Sequence, residues 1–168
     1  RDVLGSRGLG DVYKRQRWWL WYSLKSLPAL STIPNHPGGL CEHSVCVAEA
    51  AMELCRTNHV FKKCHRNEVL AAALLHDYCK VGKYRDKGNG EYEYFDAGMV
   101  GHGEGSVIMA QQYIKLTARE IVAIRWHMGA YSGSQDWDTL SAVYDRYPEA
   151  MCLHFADMIA THYDEVPL

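Results

Sequence analysis

A histidine–aspartate pair, His76-Asp77, follows a run of apolar residues and is the sharpest chemical feature of the sequence. A buried imidazole and a buried carboxylate each cost several kcal/mol, as an order of magnitude, unless they are paired or hold a metal ion. The pair therefore needs a partner. Two interpretations remain open for the dipeptide alone: a structural hydrogen-bonded pair and a metal-binding pair.

Four more side chains of ligand type occur along helical patterns. His43 lies on an apolar stripe, and Asp157 lies within an apolar helical run. His102 stands between two glycines at the start of one helical pattern, and His127 ends another. Taken singly, each histidine is compatible with ordinary packing or capping, although imidazole is also the commonest metal ligand.

The elements that position these residues are predicted to be helices. Apolar periodicity predicts helices at residues 40–56, 67–80, 103–115, 117–128 and 148–164. The second of these is apolar on every side, which predicts a buried central helix. Thr117 is expected to cap the fourth helix, because Glu120 follows three residues later as a capping box.

Residues 81–101 interrupt the helical pattern with several glycines. The alternation of Glu91 to Tyr94 predicts at most a short extended segment within an active-site loop. The chain contains no internal repeat and no low-complexity linker. The expected fold class is therefore all-α, a helical bundle.

Composition limits the functions to consider. The 168 residues, 48% of them hydrophobic and 23% charged, are enough for one globular domain. A net charge of −2 and a pI near 6.5 exclude a broad surface that coats nucleic acid.

Five short blocks, in order along the chain, resemble the HD-domain metal-dependent phosphohydrolase superfamily. They are GGLCEHS at 38–44, LLHDYCK at 74–80, GHGEGS at 101–106, IRWHMG at 124–129 and LHFADMIAT at 153–161. The resemblance spans roughly residues 27–165. It implies a helical bundle with a metal site between the helices.

The resemblance also implies a ligand set for two divalent ions, with Asp77 bridging them. The residues implied for the first ion are His43, His76, Asp77 and Asp157, and those implied for the second are His102 and His127. Four imidazoles and two carboxylates form a mixed nitrogen and oxygen shell. We expect ions from the group Mn, Fe, Co, Ni, Zn and Mg rather than calcium, which prefers oxygen ligands.

The implied reaction is hydrolysis of a phosphate ester, a monoester or diester of a nucleotide-like substrate, by a metal-activated water. In this hypothesis Asp77 holds both ions and helps to position the nucleophile. Lys80, one helical turn after His76, contacts the phosphate, and Lys83 and Arg125 are further candidates for that contact. For these three cations, a solvated surface charge is the alternative.

The sequence departs from some relatives. The Glu-Asp pair typical of alarmone-hydrolysing members and the GYP signature of cyclic-dinucleotide phosphodiesterases are both missing. Gly105 stands where related sequences often have lysine. Neither specialised activity is therefore expected, and no phosphate contact is expected from position 105.

Three alternatives remain open. The first is 3'-to-5' exoribonuclease-like activity on RNA, although the acidic charge balance favours a small phosphorylated substrate. The second is a di-iron oxygenase, which spectroscopy would distinguish. The third is a degenerate HD sensing or binding module without catalysis, a class that usually lacks some of the ligands that this chain retains.

The first residues differ in character from the rest. Residues 1–16 resemble translated sequencing-adaptor sequence of metagenomic assemblies, and we expect residues 17–168 to form a single, N-terminally truncated HD domain. Residues 1–16 contain four basic and two acidic residues, so the remainder carries a charge of −4. The apolar run at 18–24 is too short to span a membrane. Six cysteines without CxxC spacing indicate reduced thiols, and the expected location is the cytoplasm, with no membrane partner.

Overall fold

The computed structural model describes residues 38–88, 92–94 and 101–164, and this part of the chain is built mainly from helices. Its α-helices are α1 Gly39–Thr57, α2 Arg66–Leu75, α3 His102–Gln111, α4 Ala118–Trp126, α5 Trp137–Arg146 and α6 Pro148–Ile159. Short 3-10 helices occur at Phe61–Lys63, Tyr78–Lys80, Gly129–Tyr131 and Ser134–Asp136, and a π-helical turn follows at Ala160–Asp164. The predicted all-α class is confirmed.

A two-stranded antiparallel hairpin interrupts the helices. Strand β1, Tyr84–Asp86, pairs with β2, Tyr92–Tyr94, with Tyr84 opposite Tyr94. The expected extended segment is therefore present at β2, whereas Glu91 lies outside the described residues. The predictions for residues 1–16 and for the apolar run at 18–24 also concern residues outside the described part of the chain.

Helix α2 is the central helix of the bundle, as predicted. Its buried residues are Val69, Ala71, Ala72, Ala73 and Leu75. It packs against α1, α4 and α6. Small alanine side chains let these helices approach closely, so α2 can carry its last residues into the middle of the fold.

The predicted end of this helix was wrong. The α-helix stops at Leu75, and residues 78–80 form a 3-10 helix instead of a continuation to Lys80. The His76 ring donates a hydrogen bond from Nδ1 to the Ala73 carbonyl at 2.7 Å. An unbroken helix would offer that carbonyl to the amide of Asp77. At φ −102° and ψ 18° Asp77 has left the helical conformation.

The two helices that follow the hairpin begin as predicted. His102 is the first residue of α3, and Thr117 caps α4. The Thr117 hydroxyl accepts from the Glu120 amide, and the Glu120 carboxylate accepts from the Thr117 amide, which confirms the capping box. Helix α3 ends at Gln111 rather than near residue 115.

Helix α5 was not predicted, and only Leu140 among its residues is buried. Helix α6 begins at Pro148, as expected for a proline in the first turn, and its α-helical part ends at Ile159. All six cysteines are unbridged. Cys55 of α1 and Cys152 of α6 have their sulfur atoms 3.8 Å apart in the core.

Among the residues that the structure describes, none of the helices combines the length and the apolar character that crossing a bilayer requires.

Candidate metal centre

Two histidines from different helices meet tip to tip. His43 lies on the buried face of α1, and His76 follows the end of α2, with exposed fractions of 1% and 0%. Their Nε2 atoms are 3.1 Å apart. Two nitrogens bound to one ion at about 2.1 Å would be roughly 3.0–3.4 Å apart for right-angled to tetrahedral geometry. The spacing therefore matches two ligands of a common ion.

Two carboxylates complete this group. His43 Nε2 lies 3.3 Å from Asp157 Oδ1 and 3.7 Å from Asp77 Oδ2. His76 Nε2 lies 3.5 Å from Asp77 Oδ2 and 3.8 Å from Asp157 Oδ1. The four residues implied for the first ion are thus brought together by α1, by the turn after α2 and by α6.

His127 presents a donor atom that protein groups do not use. Its Nδ1 donates to the Ile124 carbonyl at 2.7 Å, which leaves the lone pair on Nε2. In the described part of the chain, the buried Nε2 atom has no hydrogen-bond partner. A buried, unsatisfied nitrogen is costly without a ligand. The donor set therefore fits a metal ion.

Asp77 lies between the two groups of histidines. Its Oδ2 faces His43 and His76, whereas its Oδ1 is 3.9 Å from His127 Nε2. Asp77 and His102 also offer ligand atoms within 4.8 Å of one another, together with Cys79. The structure thus brings together all six residues that the resemblance implies.

Cys79 is a neighbour of the centre that sequence reasoning did not single out. Its sulfur lies 3.5 Å from His102 Nδ1, and its amide donates to the Ser106 hydroxyl at 3.1 Å. Burial raises the pKa of the Cys79 thiol. The sequence signal for Cys79 was its position two residues after Asp77. That spacing indicates a place near the centre only once residues 78–80 are known to form a 3-10 helix.

The carboxylates are held in their ionised form. Burial by itself would raise the pKa of Asp77, but the charge of Lys80 and the nearby imidazoles outweigh it and hold that pKa well below its usual range. Burial likewise opposes ionisation of Asp157. The hydrogen bond from His43 and favourable electrostatic interactions with neighbouring histidines lower its pKa to about 2.

The histidines are held in their neutral form. Burial lowers the pKa of His76 and of His102, and it lowers that of His127 to about 4. Neutral imidazoles and ionised carboxylates are the protonation states that bind metal ions.

The two predicted lysines are largely buried rather than solvated. Lys80 Nζ is 2.6 Å from Asp77 Oδ2, and its side chain is 15% exposed. Burial opposes its charge, but the Asp77 carboxylate prevails and raises the pKa of Lys80. Lys83 is buried, and its positive charge contributes to lowering the pKa of His102.

Arg125 is tethered by acidic partners beside the centre. Its Nε lies 2.6 Å from Glu104 Oε1, and its Nη2 lies 3.8 Å from Asp136 Oδ2. Its guanidinium also lies 4.3 Å from the centroid of the Trp126 ring. The structure therefore places Arg125 against two carboxylates and an aromatic face.

Helix α3 is held against α4 by a contact between backbones. A Cβ atom on Gly103 would lie 2.2 Å from the carbonyl oxygen of Arg125. Only glycine fits at this position. Since Gly103 follows His102, the close contact places His102 near the end of α4.

His154 supports the turn that carries His127. Its Nδ1 donates to the His127 carbonyl at 2.8 Å. The ring also covers Gly129, where φ is +54° and a Cβ would lie 2.4 Å from it. Sequence reasoning left His154 without a role, because this contact depends on the packing of α6 against the end of α4.

The fold and the clustered histidines and aspartates define a helical protein with a candidate metal centre, and comparison identifies its family. The family model for the HD domain matches residues 40–162, so the chain belongs to the HD-domain family, whose superfamily comprises metal-dependent phosphohydrolases. Neither the curated proteins nor the solved structures gave a match.

Proposed function

We propose that this protein hydrolyses phosphate esters with a pair of divalent ions. The observation that carries the proposal is the position of Asp77, whose two oxygens face different histidines. One carboxylate placed in this way can be shared between two ions. Two ions a few ångströms apart are the usual arrangement for displacement at phosphorus.

Each ligand has a distinct part in the proposal. His43, His76 and Asp157 would hold one ion with Asp77, while His102 and His127 would hold the other. Bound divalent ions supply Lewis acidity, which lowers the pKa of a water molecule and neutralises charge on the phosphate. The carbonyl groups of Ala73 and Ile124 orient the rings of His76 and His127, since each accepts from Nδ1.

Lys80 keeps the shared carboxylate ionised. Its ammonium group lies 2.6 Å from Asp77 Oδ2 and is almost buried. This position also lets the same cation contact a phosphate oxygen at the centre. We therefore assign Lys80 two parts, orienting Asp77 and binding the anionic substrate.

The test compares hydrolysis by the wild type and by Asp77→Ala. Phosphomonoesters and phosphodiesters are assayed with added Mn, Co or Ni. We expect a loss of at least about 100-fold in kcat/KM for Asp77→Ala, because a shared ligand affects both ions. Asp138→Ala, at an exposed position on α5, is the matched control.

Equal activity in the wild type and Asp77→Ala would overturn the proposal. So would the absence of hydrolysis and of bound metal in the wild type after purification with divalent ions. Circular dichroism of both variants establishes whether a loss of activity reflects the centre rather than unfolding.

A further inference from the structure

A polar cavity opens beside His102, on the side of the centre formed by α3 and α4. Its volume is about 260 Å³. Its polar and aromatic lining includes His102, Glu104, Arg125, Tyr131, Ser132 and Asp136. Cavities for drug-sized ligands usually measure about 300–1,000 Å³, so this cavity suits a group of the size of a sugar.

The carboxylates in the cavity wall are arranged by Arg125. The ion pairs occupy Oε1 of Glu104 and Oδ2 of Asp136. In these two ion pairs, the second oxygen of each carboxylate is not used. Carboxylate oxygens accept hydrogen bonds from hydroxyl groups, and an ionised acceptor makes the stronger bond.

Glycine makes room for one of these carboxylates. Gly101 has φ +61°, and a Cβ there would lie 2.5 Å from Glu104 Oε2. Any larger residue would therefore displace the oxygen that Arg125 does not engage. The missing side chain at Gly101 leaves room for the Glu104 carboxylate at the cavity wall.

The charge of the lining restricts what can enter. Two carboxylates and one guanidinium leave the ionisable groups of the wall with an excess of one negative charge. Arg125 is engaged by both acids and contributes no unpaired cation. The wall therefore offers carboxylate oxygens to hydroxyl donors, whereas its one guanidinium is already paired with acids and is not available to a second phosphate group.

We propose that this cavity binds the neutral, hydroxyl-bearing leaving group of a phosphomonoester, and that Glu104 and Asp136 select it by accepting hydrogen bonds from its hydroxyls. The inference rests on the proposed function for the phosphate end of the substrate. It names the substrate class as sugar-like phosphomonoesters. Tyr131, 68% exposed at the same cavity, is placed to cover a flat group attached to the sugar.

The experiment uses a matched pair of probes that differ only in two hydroxyls, adenosine and 2',3'-dideoxyadenosine. Isothermal titration calorimetry on the Mn-loaded full chain measures both dissociation constants. We expect adenosine to bind about tenfold more tightly or better, because a site built for hydroxyls rejects the analogue that lacks them. Glu104→Gln and Asp136→Asn should each reduce this ratio to about threefold or less.

Asp138→Asn is the matched control and should keep the wild-type ratio, because the exposed Asp138 lies outside the cavity lining. The inference is overturned if the wild type binds both nucleosides equally, if it binds neither, or if Glu104→Gln and Asp136→Asn retain the full ratio. A dinucleoside monophosphate that binds more tightly than adenosine would also overturn it and would favour RNA.

Hydrolysis is measured separately with adenosine 5'-monophosphate and its 2',3'-dideoxy counterpart. A wild type that discriminates the nucleosides but hydrolyses neither nucleotide contradicts the proposed function and supports the binding cavity. A wild type that hydrolyses both nucleotides equally, with equal nucleoside binding, supports the proposed function and contradicts the cavity.

Discussion

The ammonium group of Lys80 lies 2.6 Å from Oδ2 of Asp77, so the charge of the carboxylate between the two groups of histidines is already balanced by protein. Both groups are almost buried, with exposed fractions of 15% and 5%. Removing one partner of a buried pair leaves an uncompensated charge.

Lys80→Met should therefore destabilise the metal-free protein by about 3 kcal/mol at pH 7. The free energy of unfolding from urea denaturation measures the effect. Lys62→Met, at an exposed position, is the control and should change stability by no more than about 0.5 kcal/mol. A loss below about 1 kcal/mol for Lys80→Met would show that the pair does not stabilise the fold.

The stability of the metal-free protein should fall as the pH decreases from about 6.5 towards 4. Burial lowers the pKa of His127 to about 4 in the folded chain. The unfolded chain, with a histidine pKa near 6.5, takes up the proton first, so the stabilisation is complete above about 6.5 and is lost on acidification. His127 alone contributes on the order of 3 kcal/mol, because each pKa unit corresponds to about 1.4 kcal/mol.

Urea midpoints measured across this pH range check the prediction. In His127→Gln, stability should depend less steeply on pH. Part of the pH dependence should remain, because burial also lowers the pKa of His76. His59→Gln, at an exposed position, should follow the wild type. A flat wild-type profile between pH 6.5 and 5 would contradict the prediction.

Metal content should distinguish the two halves of the centre. We expect about two Mn ions per wild-type chain after dialysis, and about one in His102→Ala, because only the second ion uses His102. Elemental analysis gives the ratio, and His59→Ala serves as the control. At a free ion concentration of 100 times Kd, each bound ion should add about 2.7 kcal/mol to stability, and a chelator should remove this contribution. A ratio of one Mn ion per wild-type chain would contradict the proposal that two ions share Asp77.

Gly129 and His154 should show coupled effects on stability. Gly129→Ala should cost about 2 kcal/mol or more, because it combines a positive φ with a clash against the His154 ring. Measured against His154→Ala alone, the cost of Gly129→Ala should be about 1 kcal/mol smaller, since the clash disappears while the backbone strain stays.

The variant Gly82→Ala distinguishes the cost of backbone strain from the cost of the clash with the His154 ring. Gly82 also has a positive φ, +76°, but nothing lies within 4 Å of the added Cβ. Its cost should therefore be smaller and unaffected by His154→Ala. Thermal or urea denaturation of the single and double variants measures the cycle, and additive effects at Gly129 and His154 would argue against the contact.

The parts of the fold that depend on local patterns were predictable. The apolar stripe of α1 indicated that His43 faces inward, and the spacing of Thr117 and Glu120 located the start of α4. No local pattern shows that His43 and Asp157 lie close together in the fold. The expected ligand set therefore came from the resemblance carried by five separate blocks.

Features that depend on contacts between distant segments were not predictable in this way. The end of α2 follows from a bond between the His76 ring and a backbone carbonyl, which competes with helical hydrogen bonding. The contact between Arg125 and Asp136 could not be predicted, because Asp136 immediately precedes α5, a helix that the sequence did not indicate. A cation expected to contact phosphate is thus engaged by acidic partners.

The close backbone contact at Gly103 also bears on how this centre tolerates sequence change. The spacing of His102 from the end of α4 depends on an absent side chain rather than on the size of its neighbours. Substitutions on the outer face of α3, where Ile108 is half exposed, can therefore accumulate without altering that spacing. Position 103 itself admits no such substitution. Related sequences should therefore vary widely at the outer positions of α3 and hardly at all at Gly103.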